Sequence, residues 1–495
     1  MTTEMSRRGL LSASAMGAAA LGTGLAPPGA QAQTQVQTRA PAQAAPVTRQ
    51  PNIIFIMADD LGVADVSCYG QRAFRTPAVD GLAGQGLRFL QAYASSAVCS
   101  ATRTALITGR YQYRLPLGLW EPLSRTNEVG LPPEHPTLPS LLKRAGYSTA
   151  LVGKWHLGAL PKFGPMKSGY DRFWGFRGGT IDYYTHRGTD GKPDLWDGDL
   201  AIDQHGYATE LLGQKAVEVV RDFAQAGRPF FLSLHFNAPH WPWVAPGDEA
   251  ESERLKGKDL RNFDGGTLKT YGRMVVSMDE QIGRVLAELE ERGIARDTIV
   301  IFTSDNGGER FSDVWPFNGR KTELLEGGLR IPAIIRWPAR IRPGSTSEQV
   351  MASMDWLPTL LAAAGGQADS AYPPDGMDLL PALDGVAPVP RRLYWRYKAN
   401  AQRAMRDGDL KYLKIGENSF LFNVVEDPME RANLKTRQPA VFERMEQDWL
   451  AWNETMLPEI EESFTEAYSA SQLADHFGAS PPSGKPDLPP PPPKH

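Results

Sequence analysis

Short apolar runs alternate along this chain with longer segments whose apolar residues recur at helical spacing. Five runs rich in Ile, Val, Leu and Phe predict buried strands. They are "NIIFIMA" (52–58), "STALVG" (148–153), "PFFLSLHF" (229–236), "TIVIFTS" (298–304) and "IPAIIRW" (331–337). Strands that alternate with helices are typical of an α/β fold, so we predict a large domain with a mostly parallel mixed sheet flanked by helices.

The clearest helical patterns each end at a glycine, a residue that can adopt the left-handed conformation that closes a helix. They cover 138–142, 211–223 and 268–289, before Gly146, Gly227 and Gly293. From about residue 385, short strands and turns replace the alternation, and a last helical pattern follows at 439–456. We therefore predict a large domain over 51–384 and a small C-terminal domain of antiparallel sheet and helix over 385–470.

Both ends of the chain differ in composition from the rest. Residues 1–32 combine Arg7 and Arg8, an Ala/Gly-rich apolar stretch and a final "AQA". This combination predicts a signal peptide of the twin-arginine type and a periplasmic or secreted protein; a plain secretory signal or a disordered tail is the alternative. Residues 33–50 are expected to form a linker and residues 471–495 a Pro-rich disordered tail.

The composition argues against several classes of partner. With 41% apolar and 22% charged residues among 495, the chain can bury a large core in more than one domain. A formal net charge of −4 argues against a nucleic-acid partner or a polybasic contact with a membrane surface. After about the first 30 residues, no apolar run is long enough to span a bilayer.

Polar residues follow four of the predicted strands, at the edge of an open α/β sheet where ligands bind. They are Asp59 and Asp60, then Lys154 and His156, then His240, and finally Asp305 and Asn306. The aspartates and Asn306 offer hard oxygen ligands for Ca²⁺ or Mg²⁺. The basic residues, with Arg103 and Lys321, suit a tetrahedral oxyanion ester such as a phosphate or a sulfate. Each residue alone has an ordinary structural explanation, as a helix cap, a turn or a surface charge, but their coincidence at strand ends predicts a site.

The chain has two cysteines, Cys68 and Cys99, which in an exported protein suggest a disulfide. One disulfide adds little to a domain that can bury a large core. The segment "AVCSATRTALITGR" (97–110) predicts a helix that begins near Cys99, and we expect a chemical role for this cysteine. Cys68 is then expected to be a small buried residue.

The segment "CSATR" (99–103) resembles the signature Cys-x-Pro/Ala-x-Arg of the type I sulfatases, which belong to the alkaline phosphatase superfamily. The similarity extends over nearly the whole mature chain. It includes "PNIIFIMADDLG", "TLPSLLKRAGYSTALVGKWHLG", "APHWP", "VIFTSDNGG" and "NGRKTELLEGGLRIPAIIRWP". The chain therefore resembles the arylsulfatase-like, formylglycine-dependent sulfatases, which hydrolyse sulfate esters.

The resemblance implies that a separate maturation enzyme oxidises Cys99 to formylglycine, whose hydrate is the nucleophile. It implies a Ca²⁺ ion, with Mg²⁺ as the alternative, and a small sulfated substrate or a sulfated oligosaccharide. The implied metal ligands are Asp59, Asp60, the converted Cys99, Asp305 and Asn306. Two positions depart from the familiar signature. Ala101 replaces a proline, which bears on recognition by the maturation enzyme, and Thr102 replaces a serine but keeps its hydroxyl.

The resemblance also implies a role for each of the other catalytic residues. Asp305 is the base for the attacking hydroxyl, and Arg103 stabilises the hydrate. Lys154 binds sulfate, and His156 takes the proton of the second hydroxyl when sulfate is eliminated. His240 and Lys321 protonate the leaving alcohol.

Two other functions stay open from the sequence. A phosphate or phosphonate ester hydrolase of the same superfamily needs the same metal, nucleophile and cations. A protein that keeps Cys99 as a thiol would be a non-catalytic binder of sulfated glycans. Specificity is expected to lie in the loops 180–199 and 240–259. Their aromatic residues Tyr183, Tyr184, Trp196, Trp241 and Trp243 can either stack on a sugar or pack the loops.

Overall fold

The computed structural model describes residues 49–124 and 128–467. The predicted signal peptide, nearly all of the predicted linker and the Pro-rich tail lie outside these ranges. The strands are β1 (Asn52–Ala58), β2 (Leu87–Phe89), β3 (Ala92–Tyr93), β4 (Ser148–Lys154), β5 (Arg172–Phe176), β6 (Trp196–Asp197), β7 (Leu200–Ala201), β8 (Phe230–His235), β9 (Thr298–Ser304), β10 (Ala333–Arg336), β11 (Ser345–Ser347), β12 (Met351–Ala352), β13 (Arg392–Tyr397), β14 (Gln402–Asp407), β15 (Leu410–Ile415) and β16 (Asn418–Asn423). The helices are α1 (Pro77–Gln85), α2 (Cys99–Thr108), α3 (Leu138–Arg144), α4 (Ala208–Ala226), α5 (Glu249–Leu255), α6 (Leu268–Glu291), α7 (Glu326–Leu329), α8 (Trp356–Ala363), α9 (Leu380–Leu383) and α10 (Pro439–Glu454).

The large sheet within the described ranges has ten strands in the order β11-β2-β10-β9-β1-β8-β4-β5-β6-β7. At its centre β1 pairs in parallel with β8 and β9, and β4 pairs in parallel with β5 and β8. The strand from "IPAIIRW", β10, runs antiparallel to both of its neighbours, and β6 and β7 add an antiparallel edge. This sheet confirms the predicted mixed α/β architecture.

The central strand β1 is apolar at every position from Ile53 because both of its faces are covered. Ile54 and Ile56 pack into a core cluster that includes residues of α4 and α6. Ile53 and Phe55 point to the opposite face, where the ring of Phe55 meets Trp356 of α8 edge-on at a centroid distance of 6.0 Å. Helices on both faces therefore explain why the strand lacks the alternation of a half-exposed sheet.

The predicted helices form with the predicted ends. The backbone of Gly227 has φ +69° directly after α4, and that of Gly293 has φ +68° just after α6. At the start of α3, the Thr137 hydroxyl accepts a hydrogen bond from the Ser140 N–H. Within the described ranges, no helix combines the length and the apolar character that crossing a bilayer requires.

Strands β13 to β16 form a separate four-stranded antiparallel sheet, as the sequence predicted for the C-terminal part. One face packs on α10, with Met405 and Tyr412 against Trp449. The other face, which includes Trp395, clusters with Ala101 of α2 and so covers the helix that begins at Cys99. The domain boundary at residue 384 stays a prediction.

The two cysteines do not form a disulfide; both are free thiols. Cys99 is the first residue of α2, as expected, and its side chain is buried. Cys68 is half-buried, so the expectation of a buried residue was wrong. It lies on a single helical turn, Ser67–Tyr69, that packs against the edge of the main core and not inside it.

Candidate active site

The carboxyl ends of β1, β4, β8 and β9 meet at one edge of the large sheet, next to the first turn of α2 and a loop before α7. The structure places all ten candidate residues in this one region, and each is at most 4% exposed. They are Asp59, Asp60, Cys99, Arg103, Lys154, His156, His240, Asp305, Asn306 and Lys321. So many ionisable groups can be buried together only if they are paired.

Cys99 is the first residue of α2, and local hydrogen bonds fix its position. The Thr102 hydroxyl donates to the Ser96 carbonyl and accepts from the Ser96 N–H, both at 3.0 Å. The Ser100 hydroxyl accepts from the Leu123 N–H at 2.7 Å. The loop before Cys99 is thus tied to the first turn of the helix, whose unpaired N–H groups and dipole favour an anion.

Three cations and three carboxylates pair in the cluster. Arg103 donates from Nε and Nη2 to Asp305 Oδ2 at 3.1 and 2.8 Å. Lys154 Nζ donates to Asp59 Oδ2 at 2.7 Å. Lys321 Nζ donates to Asp60 Oδ2 at 2.8 Å. The formal charges of these six groups cancel, which makes their burial possible.

Pairing and burial act in opposite directions on the pKa values of the three carboxyl groups. Burial opposes the charge of Asp60, but Lys321 and Lys154 hold its pKa below the ordinary value. For Asp305, Arg103 and Lys154 likewise outweigh burial and lower the pKa. Burial dominates at Asp59 and raises its pKa well above the ordinary value, against the attraction of Lys154.

The cluster offers ligand atoms of the kind that a hard divalent cation takes. Two buried oxygens, Asp59 Oδ1 and Asn306 Oδ1, have no hydrogen-bond partner in the described part of the chain. Ligand atoms of Asp59, Cys99 and Asp305 lie within 4.8 Å of one another. Carboxylate and amide oxygens are the ligands that Ca²⁺ and Mg²⁺ take in proteins, so the donor set fits such an ion.

Hydrogen bonds assign the proton of each histidine in the cluster. His156 Nε2 lies 2.6 Å from the Leu123 carbonyl oxygen, so Nε2 carries the hydrogen, and buried Nδ1 has no partner among the described residues. His240 Nδ1 donates to the Trp241 carbonyl at 2.7 Å, and its Nε2 lies 3.4 Å from Lys321 Nζ. Burial, together with the nearby lysines, lowers the pKa of both rings well below the ordinary value, which keeps them neutral.

The thiol of Cys99 is a poor nucleophile in this setting. Burial raises its pKa to about 12, although Lys154 and Lys321 act in the opposite direction. At neutral pH the side chain is therefore protonated, and it is the thiolate that attacks in thiol chemistry.

The sequence analysis missed His235, the last residue of β8. Its Nδ1 lies 3.4 Å from Arg103 Nη1 and 3.2 Å from the Lys154 carbonyl oxygen, and burial lowers its pKa to about 3. The His235 Nδ1–H therefore donates to the Lys154 carbonyl, and the ring lies beside Arg103 at the end of β8. The signal was present, since His235 lies in the predicted strand 229–236, one residue before its end, but only residues beyond the strand ends were considered.

The aromatic residues of the two candidate specificity loops separate into two groups. Tyr183 and Trp243 are buried and pack the loops, and the Tyr183 hydroxyl donates to the His240 carbonyl at 2.9 Å. Tyr184, Trp196 and Trp241 are half-buried. The guanidinium group of Arg177 covers Trp196, with Cζ 4.0 Å from the centroid of the ring. Trp241 instead lies beside His240, and the centroids of the two rings are 4.3 Å apart.

Comparison with known proteins agrees with this geometry. Residues 51–366 match the family model Sulfatase. The chain is 30% identical over 472 residues to arylsulfatase J of Mus musculus, an alignment that covers 83% of this chain and 77% of that one. It is 32% identical over 391 residues to N-acetylgalactosamine-6-sulfatase of Rattus norvegicus, which covers 74% of this chain and 72% of that one.

A solved structure has the same fold over most of its length. The crystal structure of Ps i-CgsB in complex with k-i-k-neocarrahexaose superposes with a TM-score of 0.76 and 28% sequence identity, covering 87% of this chain and 98% of that chain. The family match spans the strands that carry the buried cluster. The chain therefore belongs to the sulfatase family of the alkaline phosphatase superfamily, and it is a sulfuric ester hydrolase.

Proposed function

We propose that this enzyme hydrolyses sulfate esters of carbohydrates with a formylglycine made from Cys99 and a Ca²⁺ ion. The observation that carries the proposal is the single buried cluster in which oxygen donors and three cations surround residue 99. The proposed metal ligands are Asp59, Asp60, Asp305, Asn306 and the converted residue 99. The bound cation would neutralise the charge of the sulfate oxygens, and the formylglycine hydrate would supply the nucleophilic hydroxyl.

The residues around the helix start would bind sulfate and prepare the nucleophile. Lys154 provides a buried positive charge for the sulfate oxygens, next to the N-terminus of α2. Arg103, one helical turn from residue 99, would orient the hydrate and also holds Asp305. Asp305 is the proposed base for the attacking hydroxyl, and its lowered pKa keeps it ionised at neutral pH.

His156 would remove the second proton when sulfate leaves. Because Nε2 donates to the Leu123 carbonyl, Nδ1 keeps its lone pair and can accept a proton. Its neutral state at physiological pH supports this role as a base.

Lys321 and His240 would act on the leaving alcohol. Burial opposes the charge of Lys321, but Asp60 and Glu309 raise its pKa well above the ordinary value, so its ammonium group holds the proton. His240 Nε2 faces this ammonium group at 3.4 Å and helps to orient it. We assign proton donation to the leaving oxygen to Lys321.

Two kinds of observation support a sulfated carbohydrate as the substrate. One relative is named N-acetylgalactosamine-6-sulfatase, and the solved structure is a complex with a neocarrahexaose. In this chain, half-buried Trp241 lies beside His240, where its ring can stack on a sugar.

The deciding measurement is the mass of the tryptic peptide 89–103, "FLQAYASSAVCSATR", from protein made in its native host. The mass of an aldehyde at residue 99 is the expected result, with its loss in Cys99→Ala as the control. Steady-state kinetics on matched aryl esters should give kcat/KM at least about 100-fold higher for the sulfate than for the phosphate. An intact thiol in every copy of an active enzyme would rule out the formylglycine, and a preference for phosphate would rule out the substrate class.

Export by the twin-arginine route belongs to the same proposal. That route carries folded proteins, so conversion of Cys99 can be completed in the cytoplasm. Replacing Arg7 and Arg8 by lysine should keep the active enzyme in the cytoplasmic fraction. Equal activity after exchange for a signal of the general secretory route would count against it.

A further inference from the structure

The backbone around Lys321 is held by segments from distant parts of the chain. The Lys321 N–H donates to the Gly308 carbonyl at 3.0 Å, just beyond the end of β9. The N–H of the next residue, Thr322, donates to the Ala97 carbonyl at 2.9 Å, in the loop before Cys99. The Thr322 carbonyl in turn accepts from Gln402 Nε2 at 2.9 Å. Since Gln402 is the first residue of β14, the small sheet takes part in holding this turn.

Thr322 adopts a conformation that needs such support. Its φ is +72°, in the left-handed region that β-branched residues rarely occupy. Its buried hydroxyl has no hydrogen-bond partner within the described ranges, so the side chain itself does not hold the conformation. Strained backbone of this kind persists where surrounding contacts fix it, and here those contacts are the two backbone hydrogen bonds of Thr322.

The side-chain amide of Gln402 is fully used in this contact. Gln402 is 3% exposed, its Oε1 accepts from the Leu324 N–H at 2.8 Å, and its Nε2 also donates to the Ala399 carbonyl at 3.1 Å. The opposite orientation of the amide would set its NH₂ group against the Leu324 N–H, so the network determines the orientation. A side chain without an amide would leave the Thr322 carbonyl and the Leu324 N–H unpaired in the interior.

The turn at Thr322 directly follows Lys321, which has a proposed catalytic role. Lys321 Nζ lies 2.8 Å from Asp60 Oδ2 and 3.4 Å from His240 Nε2, distances that a shift of the turn would change. We propose that Gln402 is a positioning residue that aims Lys321 at the leaving oxygen by holding the Thr322 turn. This inference rests on the proposed function, in which Lys321 donates the proton.

The proposal predicts which substrates depend on Gln402. When the bond between sulfur and the leaving oxygen breaks, its electron pair stays on that oxygen, and a proton from Lys321 Nζ neutralises it. An acidic phenol leaves as a stable anion and needs little help, whereas a sugar alcohol depends on the proton. Misplacing Lys321 should therefore reduce the rate mainly for poor leaving groups.

The test compares leaving groups in the full-length, metal-loaded enzyme. Values of kcat/KM are measured for aryl sulfates of decreasing phenol acidity and for one sugar sulfate. Gln402→Leu should lose about 100-fold or more on the sugar sulfate and less than about threefold on the most activated aryl sulfate. Lys321→Ala should show the same dependence, because the two residues act in one step.

Gln349 provides a matched control. It is 2% exposed, its Oε1 accepts from the Val389 N–H at 2.8 Å, and its Nε2 donates to the Val350 carbonyl at 3.0 Å, in contacts that do not reach Lys321. Gln349→Leu removes an equivalent amide and should lower the thermal midpoint without changing the dependence on the leaving group. If it steepens that dependence as much as Gln402→Leu does, the inference is wrong.

A second variant covers the case in which Gln402→Leu does not fold. Gln402→Glu keeps the acceptor for the Leu324 N–H but loses the donor to the Thr322 carbonyl, and it should show the same leaving-group dependence. An unchanged dependence in this folded variant, while Lys321→Ala steepens it, would overturn the role of Gln402 and leave the proposed function in place. An unchanged dependence in Lys321→Ala would instead overturn the assignment of Lys321 as the proton donor.

Discussion

Asp59 and Asp65 lie six residues apart on the same loop, and both are fully buried, but their surroundings differ. The Asp65 carboxylate accepts hydrogen bonds from the N–H groups of Gly62 and Asp313, each at 2.8 Å. It also accepts from the hydroxyl groups of Tyr271 and Ser312. Asp59 Oδ1 has no hydrogen-bond partner among the described residues. Asp65 is thus fully occupied in holding the loop, and Asp59 has an oxygen left for a ligand.

The two aspartates should therefore respond differently to the same change. Asp59→Asn should weaken Ca²⁺ binding by at least about 100-fold, because even partners of metal ligands contribute 10–100-fold. Asp65→Asn should lower the thermal midpoint and leave the affinity for Ca²⁺ within about threefold of the original. Isothermal titration with Ca²⁺ measures both, and similar losses of affinity in the two variants would contradict the assignment of Asp59 as a ligand.

Sequence reasoning found those site residues whose side chains follow a strand end or belong to a recognised segment. It could not find the Leu123 carbonyl, because every residue has a backbone carbonyl and nothing in the sequence marks the one that meets His156. Gln402 was missed for a related reason. It is 80 residues from Thr322 along the chain, and only the packing of the small sheet brings the two together.

At the scale of elements, a buried ion cluster joins α7 to the small sheet. Lys411 of β15 is 0% exposed and pairs with Glu326 Oε1 at 3.0 Å and Glu430 Oε1 at 2.8 Å. Burial opposes the charge of Glu326, but Lys411 and Arg330 lower its pKa to about 2. For Glu430, burial outweighs Lys411 and raises the pKa to about 7.

The two glutamates should shift stability with pH in opposite directions. The folded pKa of Glu326 lies below the unfolded value, so its contribution is present above about pH 4.5 and is lost as pH falls toward 2. Glu326→Gln should cost about 3 kcal/mol at pH 7, and the difference from the original chain should shrink as the pH is lowered through this window. Chemical denaturation at several pH values measures this difference.

Glu430→Gln is the control, because its effect on the free energy of unfolding should change with pH in the opposite direction. The folded pKa of Glu430 lies above the unfolded value, so the original chain loses stability as pH rises from about 4.5 to 7, and the glutamine variant does not. The stability of the variant relative to the original chain should therefore rise with pH across that range. Parallel pH trends in Glu326→Gln and Glu430→Gln would contradict the assigned pKa directions.

The long elements could be predicted because their apolar periodicity extends over many residues, as in β1 and α6. The short strands β6, β7 and β11 could not, since each has only two or three residues, too few to show a pattern. The direction of β10 was also beyond sequence reasoning. A run that is covered on both faces looks the same whether it is parallel or antiparallel to its neighbours.

At the scale of the whole molecule, the last described segment returns to the site. The N–H of Glu466 donates to the Glu121 carbonyl at 2.6 Å, and that of Glu121 donates to the Phe464 carbonyl at 3.0 Å. The Tyr397 hydroxyl also donates to the Glu466 carbonyl at 2.7 Å. Residues 458–467 therefore support the segment around Glu121. Two residues further along, the carbonyl of Leu123 meets His156.

Two truncations test this support. A chain that ends at residue 467 should keep both kcat and the thermal midpoint, because it retains every contact described. A chain that ends at residue 457 should lose stability and about tenfold or more in kcat, since misplaced catalytic groups are costly. Full activity in the shorter chain, measured with an aryl sulfate, would show that the segment does not support the site.

The burial of Cys99 also predicts when its proposed conversion can occur. At 2% exposure, the thiol is out of reach of another protein in the folded chain. Folded thiol-form enzyme mixed with a maturation enzyme should stay unconverted, whereas the peptide 89–103 or the unfolded chain should be oxidised. Mass spectrometry of that peptide reads the outcome, and efficient conversion of the folded form would contradict the prediction.

The small sheet that covers α2 can fold over Cys99 only after it has been translated, so the rate of translation limits the time available for conversion. Trp395 and Phe422, which cluster with Ala101 over this helix, are made some 300 residues after Cys99. At about 5–20 residues per second, the ribosome takes roughly 15–60 s to reach them. Codon usage and elongation rate between the codons for Cys99 and Phe422 would set how long the cysteine stays accessible, and with it the fraction of chains that become active.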